Sequence, residues 1–239
     1  MLEARNLKVC YGQVKALNDV SFNIRTGEIV AMIGPNGAGK STSLKAVCGL
    51  LDDSNGRIES GQVLLDGNSI LNKRTDQLVQ DGISLLPEGR RVFQSMTVLE
   101  NIKMGAYIRI NKAEIKRDIE RILDLFPQLK NRLKQKAGTL SSGEQQMLAI
   151  TRALVNKPKF ILADEPSLGL SPNFVELIFE KFTQISESGT AILLVEQNAY
   201  MALKVAQRAY VFSIGEIIQE DTCDKLKENE EVKNAFLGG

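Results

Sequence analysis

The run Ile29-Val30-Ala31-Met32-Ile33-Gly34-Pro35-Asn36-Gly37-Ala38-Gly39-Lys40-Ser41-Thr42 decides the fold. Five consecutive apolar residues suit a strand buried on both faces. The next eight residues, Gly34 to Ser41, fit G-x-x-x-x-G-K-[ST] and lead into a helix expected to reach about Leu50. Glycines there let successive backbone N–H groups curl around phosphate oxygens, and the following helix adds its positive end. In such a loop Asn36, Gly37, Ala38, Gly39, Lys40, Ser41 and Thr42 form the cradle. Lys40 would reach the β- and γ-phosphates and the Ser41 hydroxyl would bind Mg²⁺. The plain alternative is a glycine-rich turn closed by a basic residue, but the strand before and the helix after are what phosphate binding requires. The run implies a bound nucleotide without saying which machine uses it.

Upstream, residues 1 to about 25 alternate apolar and polar, as in Val20-Ser21-Phe22-Asn23-Ile24, the pattern of half-buried antiparallel strands. Downstream, a short strand is expected from Gln62 to Leu65. Two more apolar runs, Phe160-Ile161-Leu162-Ala163 and Thr190 to Val195, read as buried strands. A helix over Lys112 to Phe126 carries Ile115, Ile119, Ile122, Leu123 and Phe126 on one face and stops at Pro127. Ser171-Pro172 reads as a helix start, serine capping and proline in the first turn. A hairpin turns at Gly215-Glu216. Strands alternating with helices predict an α/β core with a mostly parallel sheet and helices on both faces. The expected division is a core of residues 1–89 and 156–239, with an N-terminal antiparallel layer and a helical insertion over 90–155.

Composition removes several classes of chemistry. The 239 residues contain no histidine, which excludes an imidazole base, a histidine metal ligand and a Ser-His-Asp triad. With 30 basic and 29 acidic side chains the net charge is +1, giving no electrostatic footprint for nucleic acid. Cys10, Cys48 and Cys223 are scattered without metal spacing and read as buried free thiols, which fits a reducing cytosol. The chain opens Met1-Leu2-Glu3-Ala4-Arg5, unlike a secretory leader, and its apolar runs are far too short to span a bilayer.

Four further runs follow the phosphate loop in order: Pro87-Glu88-Gly89-Arg90-Arg91, Leu140-Ser141-Ser142-Gly143-Glu144, Phe160 to Glu165 continuing into Pro166-Ser167-Leu168-Gly169-Leu170, and Val195-Glu196-Gln197-Asn198. Together they resemble the ABC ATPase family across nearly the whole chain. The resemblance implies a P-loop NTPase (RecA-like) core, ATP and Mg²⁺ as ligands, and ATP hydrolysis. Asp164 then corresponds to the carboxylate that holds Mg²⁺ through water, and Glu165 to the one that polarises the attacking water. Two solvated carboxylates at a strand end are the bland alternative. Ser141, Ser142, Gly143 and Glu144 match the signature usually written L-S-G-G-Q, which in this family meets the γ-phosphate held by the opposite subunit. Ser142 departs from that pattern by adding a Cβ.

Glu88 stands where the family has a glutamine and can still ligate Mg²⁺. Gln197 stands where many relatives have a histidine; its amide can bond a γ-phosphate but cannot take a proton, which leaves Glu165 as base or hydrolysis to positioning alone. Tyr11 before Gly12 matches the aromatic that stacks on adenine, the alternative being a tyrosine packed on the β-layer. The Pro87–Arg91 and Val195–Asn198 runs resemble the branched-chain amino acid importer subgroup, LivF type. That implies a peripheral subunit on the cytoplasmic face of the membrane. Its partners would be two transmembrane permease subunits, a second ATPase subunit (a copy or a sister chain) and, indirectly, a periplasmic binding protein. Exposed apolar residues between Val92 and Met104 are candidates for the permease contact. A soluble relative such as an iron–sulfur assembly ATPase, or a small-molecule kinase with the same loop, are the rival expectations.

Overall fold

The structure is a computed structural model that describes residues 1–51 and 55–233. Its centre is a six-stranded sheet built around the apolar run quoted above. That run forms β3 (Ile29–Ile33), flanked by β8 (Ala191–Glu196) and β9 (Arg208–Ser213), both parallel to it. Next to β8 lie β7 (Phe160–Asp164) and then β6 (Ile83–Leu86), again parallel, and β10 (Glu216–Thr222) closes the far edge antiparallel to β9. Every residue of β3, β7 and β8 is buried. Alternate residues explain why: Ile29, Ala31 and Ile33 enter a core shared with helices, whereas Val30 and Met32 enter a second core under the N-terminal strands. A sheet covered on both faces has no polar side to advertise, hence the unbroken apolar runs.

The second core is roofed by a four-stranded antiparallel sheet. It comprises β1 (Leu2–Tyr11), β2 (Val14–Ile24), β4 (Gly56–Leu65) and β5 (Asn68–Ser69) in the order β2-β1-β4-β5. Helix α1 (Lys40–Val47) also packs there through Leu44, Ala46 and Val47. β4 starts six residues before the expected Gln62. Its first half, with Arg57, Glu59 and Ser60, pairs with Lys8 to Tyr11 through backbone bonds that need no apolar side chains. The antiparallel layer, the mostly parallel sheet and the helices on its faces are as the sequence predicts.

The helical side holds α3 (Val98–Gly105), α4 (Lys112–Leu125), α5 (Pro127–Lys130), α6 (Ser142–Leu154), α7 (Pro172–Glu187) and α8 (Ala199–Val205); α2 (Thr75–Gln80) lies beside β6, and α9 (Cys223–Glu228) and α10 (Glu230–Val232) end the described chain. Pro127 ends α4 but also opens α5, since its fixed φ suits a first helical position. Ser171 has the extended backbone of an N-cap, yet its hydroxyl makes no capping bond, so proline alone marks that start. Ile178 and Phe182 of α7 are fully buried and Phe174 partly so. Asp118 of α4 is buried against Arg109 at 2.7 Å and Lys157 at 2.9 Å, pinning α4 to the segments that follow α3 and α6. The three cysteines are free and buried, and burial pushes the Cys48 and Cys223 thiols up to about 12, so neither is a nucleophile at neutral pH.

Candidate functional site

In a parallel sheet all strands end at the same edge, where ligands bind in α/β folds. Here Ile33 is level with Glu196, Asp164 with Val195, and Leu86 with Ala163. The loops after β3, β8, β7 and β6 therefore emerge side by side, and they carry Gly34–Gly39, Gln197, Glu165 and Glu88.

The loop after β3 departs from the strand with Gly34 at φ +150°, Gly37 at +79° and Gly39 at +105°. A Cβ at Gly39 would lie 2.6 Å from Leu17 Cδ2 and 2.9 Å from the Ala16 carbonyl oxygen, so only glycine fits where the loop meets β2. Gly39 is also the N-cap of α1 and offers no side-chain cap, which leaves the first-turn amides of that helix open to an anion. Lys40 is 4% exposed, and its ammonium donates to the carbonyls of Gly34 at 2.7 Å and Pro35 at 3.0 Å, inside the loop. Burial pulls its pKa down, opposed by Glu165, Asp164 and Glu196.

Ser41 Oγ donates to Asp164 Oδ1 at 2.7 Å, bringing the end of β7 against the start of α1. The Asp164 carboxyl is raised by burial and further by Glu88, against the Ser41 hydrogen bond. Glu165 adopts φ +46°, left-handed for a residue with a Cβ, and its amide donates to the Val195 carbonyl at 2.9 Å. Burial raises its carboxyl too, Lys40 pulls it back, and Glu88 and Asp164 add to the rise. A carboxylate held above its ordinary range is a stronger base.

A cavity of about 270 Å³ is lined by Asn36 to Thr42 with Ala16, Glu88 and Glu165. A second, of about 300 Å³, joins Glu165 to Ser167, Leu168, Gly169, Glu196, Gln197 and Asn198. Glu165 thus stands between the phosphate cradle and the loop bearing Gln197. As for Mg²⁺, a hydroxyl touching a carboxylate, with more carboxylates nearby and no sulfur or imidazole, is a hard oxygen donor set that suits it. Among the described residues no three carboxylate or cysteine side chains cluster as a metal cage.

Two groups of sequence-derived residues lie elsewhere. Tyr11 pairs across from Gly56, whose Cβ would meet its ring at 2.6 Å, and packs on the antiparallel side; it lines neither cavity. Ser141, Ser142, Gly143 and Glu144 also line neither. They open α6, where the Glu144 carboxylate accepts from the Ser141 amide and hydroxyl at 2.9 Å each, and Arg132 pairs with Glu144 at 3.0 Å. This S-x-x-E capping box stands in the sequence, where that spacing is its signal. Ser142 is exposed, whereas Gly143 beside it is buried. Sequence reasoning missed roles for Glu196, Ser167 and Arg90, whose contacts appear only once the strand order is known.

A glycine cradle and an Asp-Glu pair at adjoining ends of a parallel sheet, roofed by an antiparallel layer, define an ATP-binding cassette. The family described as ABC transporter matches residues 17–168, more than half of the chain, and the chain belongs to that family as one of its ATPases. Among curated relatives it is 45% identical to the high-affinity branched-chain amino acid transport ATP-binding protein BraG of Pseudomonas aeruginosa, covering 100% of both chains. It is 40% identical to the probable branched-chain amino acid transport ATP-binding protein LivF of Archaeoglobus fulgidus, over 100% of this chain and 99% of the other. Among solved structures, the ADP conformation of MJ1267, an ATP-binding cassette of an ABC transporter, superposes with a TM-score of 0.88 at 28% identity, covering 100% of this chain and 99% of that one.

Proposed function

We propose that this chain hydrolyses Mg-ATP to drive a branched-chain amino acid importer, as a peripheral subunit on the cytoplasmic face of the membrane. One observation carries the reading: Lys40, Ser41, Asp164, Glu165 and Gln197 converge at one sheet edge, in a chain 45% identical along its full length to BraG. Among the described residues no helix is long and apolar enough to cross a membrane, and in this reading permease subunits supply the path for the solute. Val98 and Ile102 are core, whereas Phe93 and Met104 are exposed and border a groove of about 470 Å³ with Val79, Leu85 and Arg152. That groove is the proposed seat for a permease subunit.

In this reading the backbone amides of Asn36 to Ser41 and the Lys40 ammonium hold the triphosphate. Ser41, Asp164 and Glu88 would hold Mg²⁺, which when bound neutralises charge on the phosphates. Glu165 takes the proton of the attacking water, and the Gln197 amide bonds the terminal phosphate. The Ser141–Glu144 start of α6 lies outside both cavities, which supports its use in trans, on nucleotide held by a second ATPase subunit. Tyr11 would flank the adenine.

The test is reconstitution with two permease subunits and the cognate binding protein in proteoliposomes. Leucine uptake should require ATP, and Glu165→Gln should bind ATP yet lower turnover by about 100-fold or more. Robust ATP hydrolysis with no membrane partner retained and no uptake would refute the transport reading, and normal turnover by Glu165→Gln would remove that residue from catalysis.

A further inference from the structure

We propose that Glu196 and Arg90 are positioning residues for the Glu165 carboxylate, gripping the turn Glu165–Gly169 from opposite sides. The inference rests on Glu165 acting on the attacking water. Its backbone is left-handed, a conformation that costs energy for a residue with a Cβ and persists only when its surroundings over-determine it. Inside the turn the determination is slight, Leu168 N donating to Glu165 O at 3.1 Å and Leu170 N to Ser167 O at 3.2 Å. The rest comes from outside.

On the β8 side, Glu196 is 1% exposed and accepts from the Ser167 amide at 2.9 Å and the Ser167 hydroxyl at 2.8 Å, one bond to each carboxylate oxygen. No lysine or arginine forms a salt bridge with it among the described residues. A buried carboxyl with no salt-bridge partner is costly to keep merely to hold a loop. Its two bonds fix both the height and the rotation of Ser167, two residues beyond Glu165, and its chain neighbour is Gln197. On the β6 side, Arg90 Nη2 donates to the carbonyls of Leu168 and Gly169, both at 3.2 Å. The Arg90 backbone is itself held: Arg152 of α6 donates to the Arg90 carbonyl at 3.4 Å and to the Arg91 carbonyl at 2.7 Å, and lies 5.3 Å from the centre of the Phe93 ring. The Glu165 turn is therefore tied to the loop carrying Gln197, to the loop carrying Glu88, and through Arg152 to the helix that begins at Ser141–Glu144.

The test is steady-state ATPase kinetics on the full chain for Glu196→Gln, Ser167→Ala, Arg90→Ala and Arg90→Lys, with Glu165→Gln alongside. Positioning predicts a kcat lowered about tenfold with KM for ATP within about twofold, because the phosphate cradle is untouched and a misplaced group costs the transition state. Arg90→Lys, which keeps a donor, should recover part of the Arg90→Ala loss. Glu196→Gln combined with Ser167→Ala should be no worse than the poorer single variant, since both break one contact. Unchanged kcat in Glu196→Gln, Ser167→Ala and Arg90→Ala beside an inactive Glu165→Gln overturns the grip and leaves Glu165 in place. Normal turnover by Glu165→Gln overturns both. Losses in kcat and KM together, with no recovery in Arg90→Lys, would mark these residues as structural and also overturn it.

Discussion

Gly143→Ala separates two reasons for a glycine at the start of α6. The sequence motif suggests close approach to a nucleotide, but the structure supplies a reason within the chain. A Cβ at Gly143 would lie 2.2 Å from Phe174 Cδ1, 2.4 Å from Cγ and 2.5 Å from Cε1. Carbon atoms in good contact sit about 3.5–4.0 Å apart, so the Phe174 ring must retreat by more than an ångström. Phe174 is half-buried in the first turn of α7 and packs against the helical-side core, so retreat means loosening that packing. Overpacking of this kind costs about 1–3 kcal/mol, and alanine returns up to about 1 kcal/mol of helix propensity. The net is a loss of about 1–2 kcal/mol, a fall in Tm of about 2–8 °C for a chain this long. Calorimetric melting of the nucleotide-free chain measures it, with Phe174→Ala closing a double-mutant cycle. In the Phe174→Ala background Gly143→Ala should be neutral or mildly stabilising, a coupling of about 2 kcal/mol. Ser142→Gly should show no coupling to Phe174. If Gly143→Ala melts with the wild type and the cycle shows no coupling, packing is not why glycine stands there.

Two further expectations concern the site. Glu196 is pushed up from 4.5 to about 7, chiefly by burial, so the folded chain holds its proton more tightly than the unfolded one. Its contribution is most favourable below pH 4.5, declines as pH rises towards about 7 and is flat above, a loss of about 3 kcal/mol at about 1.4 kcal/mol per pH unit. Glu196→Gln cannot ionise, so its Tm relative to wild type should rise between pH 5 and pH 8, by up to about 10 °C; a gap that does not change with pH would contradict the assignment. Ser41→Ala removes the 2.7 Å bond to Asp164 and one oxygen from the proposed Mg²⁺ donor set. Nucleotide titrations with and without Mg²⁺ should show the metal's contribution to affinity falling about tenfold or more, and an unchanged Mg²⁺ dependence would place the ion elsewhere.

What could be read before folding was what local geometry dictates. Gly34, Gly37 and Gly39 are spaced by the path of one loop, and the apolar runs at β3, β7 and β8 follow from burial on two faces, so both are written in consecutive residues. The helix beginning at Ser171-Pro172 was legible in position but not in its bonding, because proline sets the backbone whether or not a hydroxyl caps it. The first half of β4 was hidden because an edge pairing through the main chain tolerates Arg57, Glu59 and Ser60. The capping box from Ser141 to Glu144 went unread although its spacing is local, because the same residues read as the family signature.

The contacts that set the Glu165–Gly169 turn belong to another order of information. Ser167 and Glu196 are twenty-nine residues apart and meet only because β8 lies beside β7; Arg90 reaches Gly169, seventy-nine residues on, only because β6 lies beside β7 on its other side. Nothing in three short runs of residues states that order. Once it is given, the same sequence acquires a stricter meaning: the loop after β7 lies between the loops after β6 and β8, so a shift in either neighbour must be felt at Glu165. A left-handed residue at the centre of such an arrangement is sensitive by construction, since the single bond it accepts within its own turn does little to hold it there. The chemistry of the site is thus written in its motifs, and its geometry in the order of the strands.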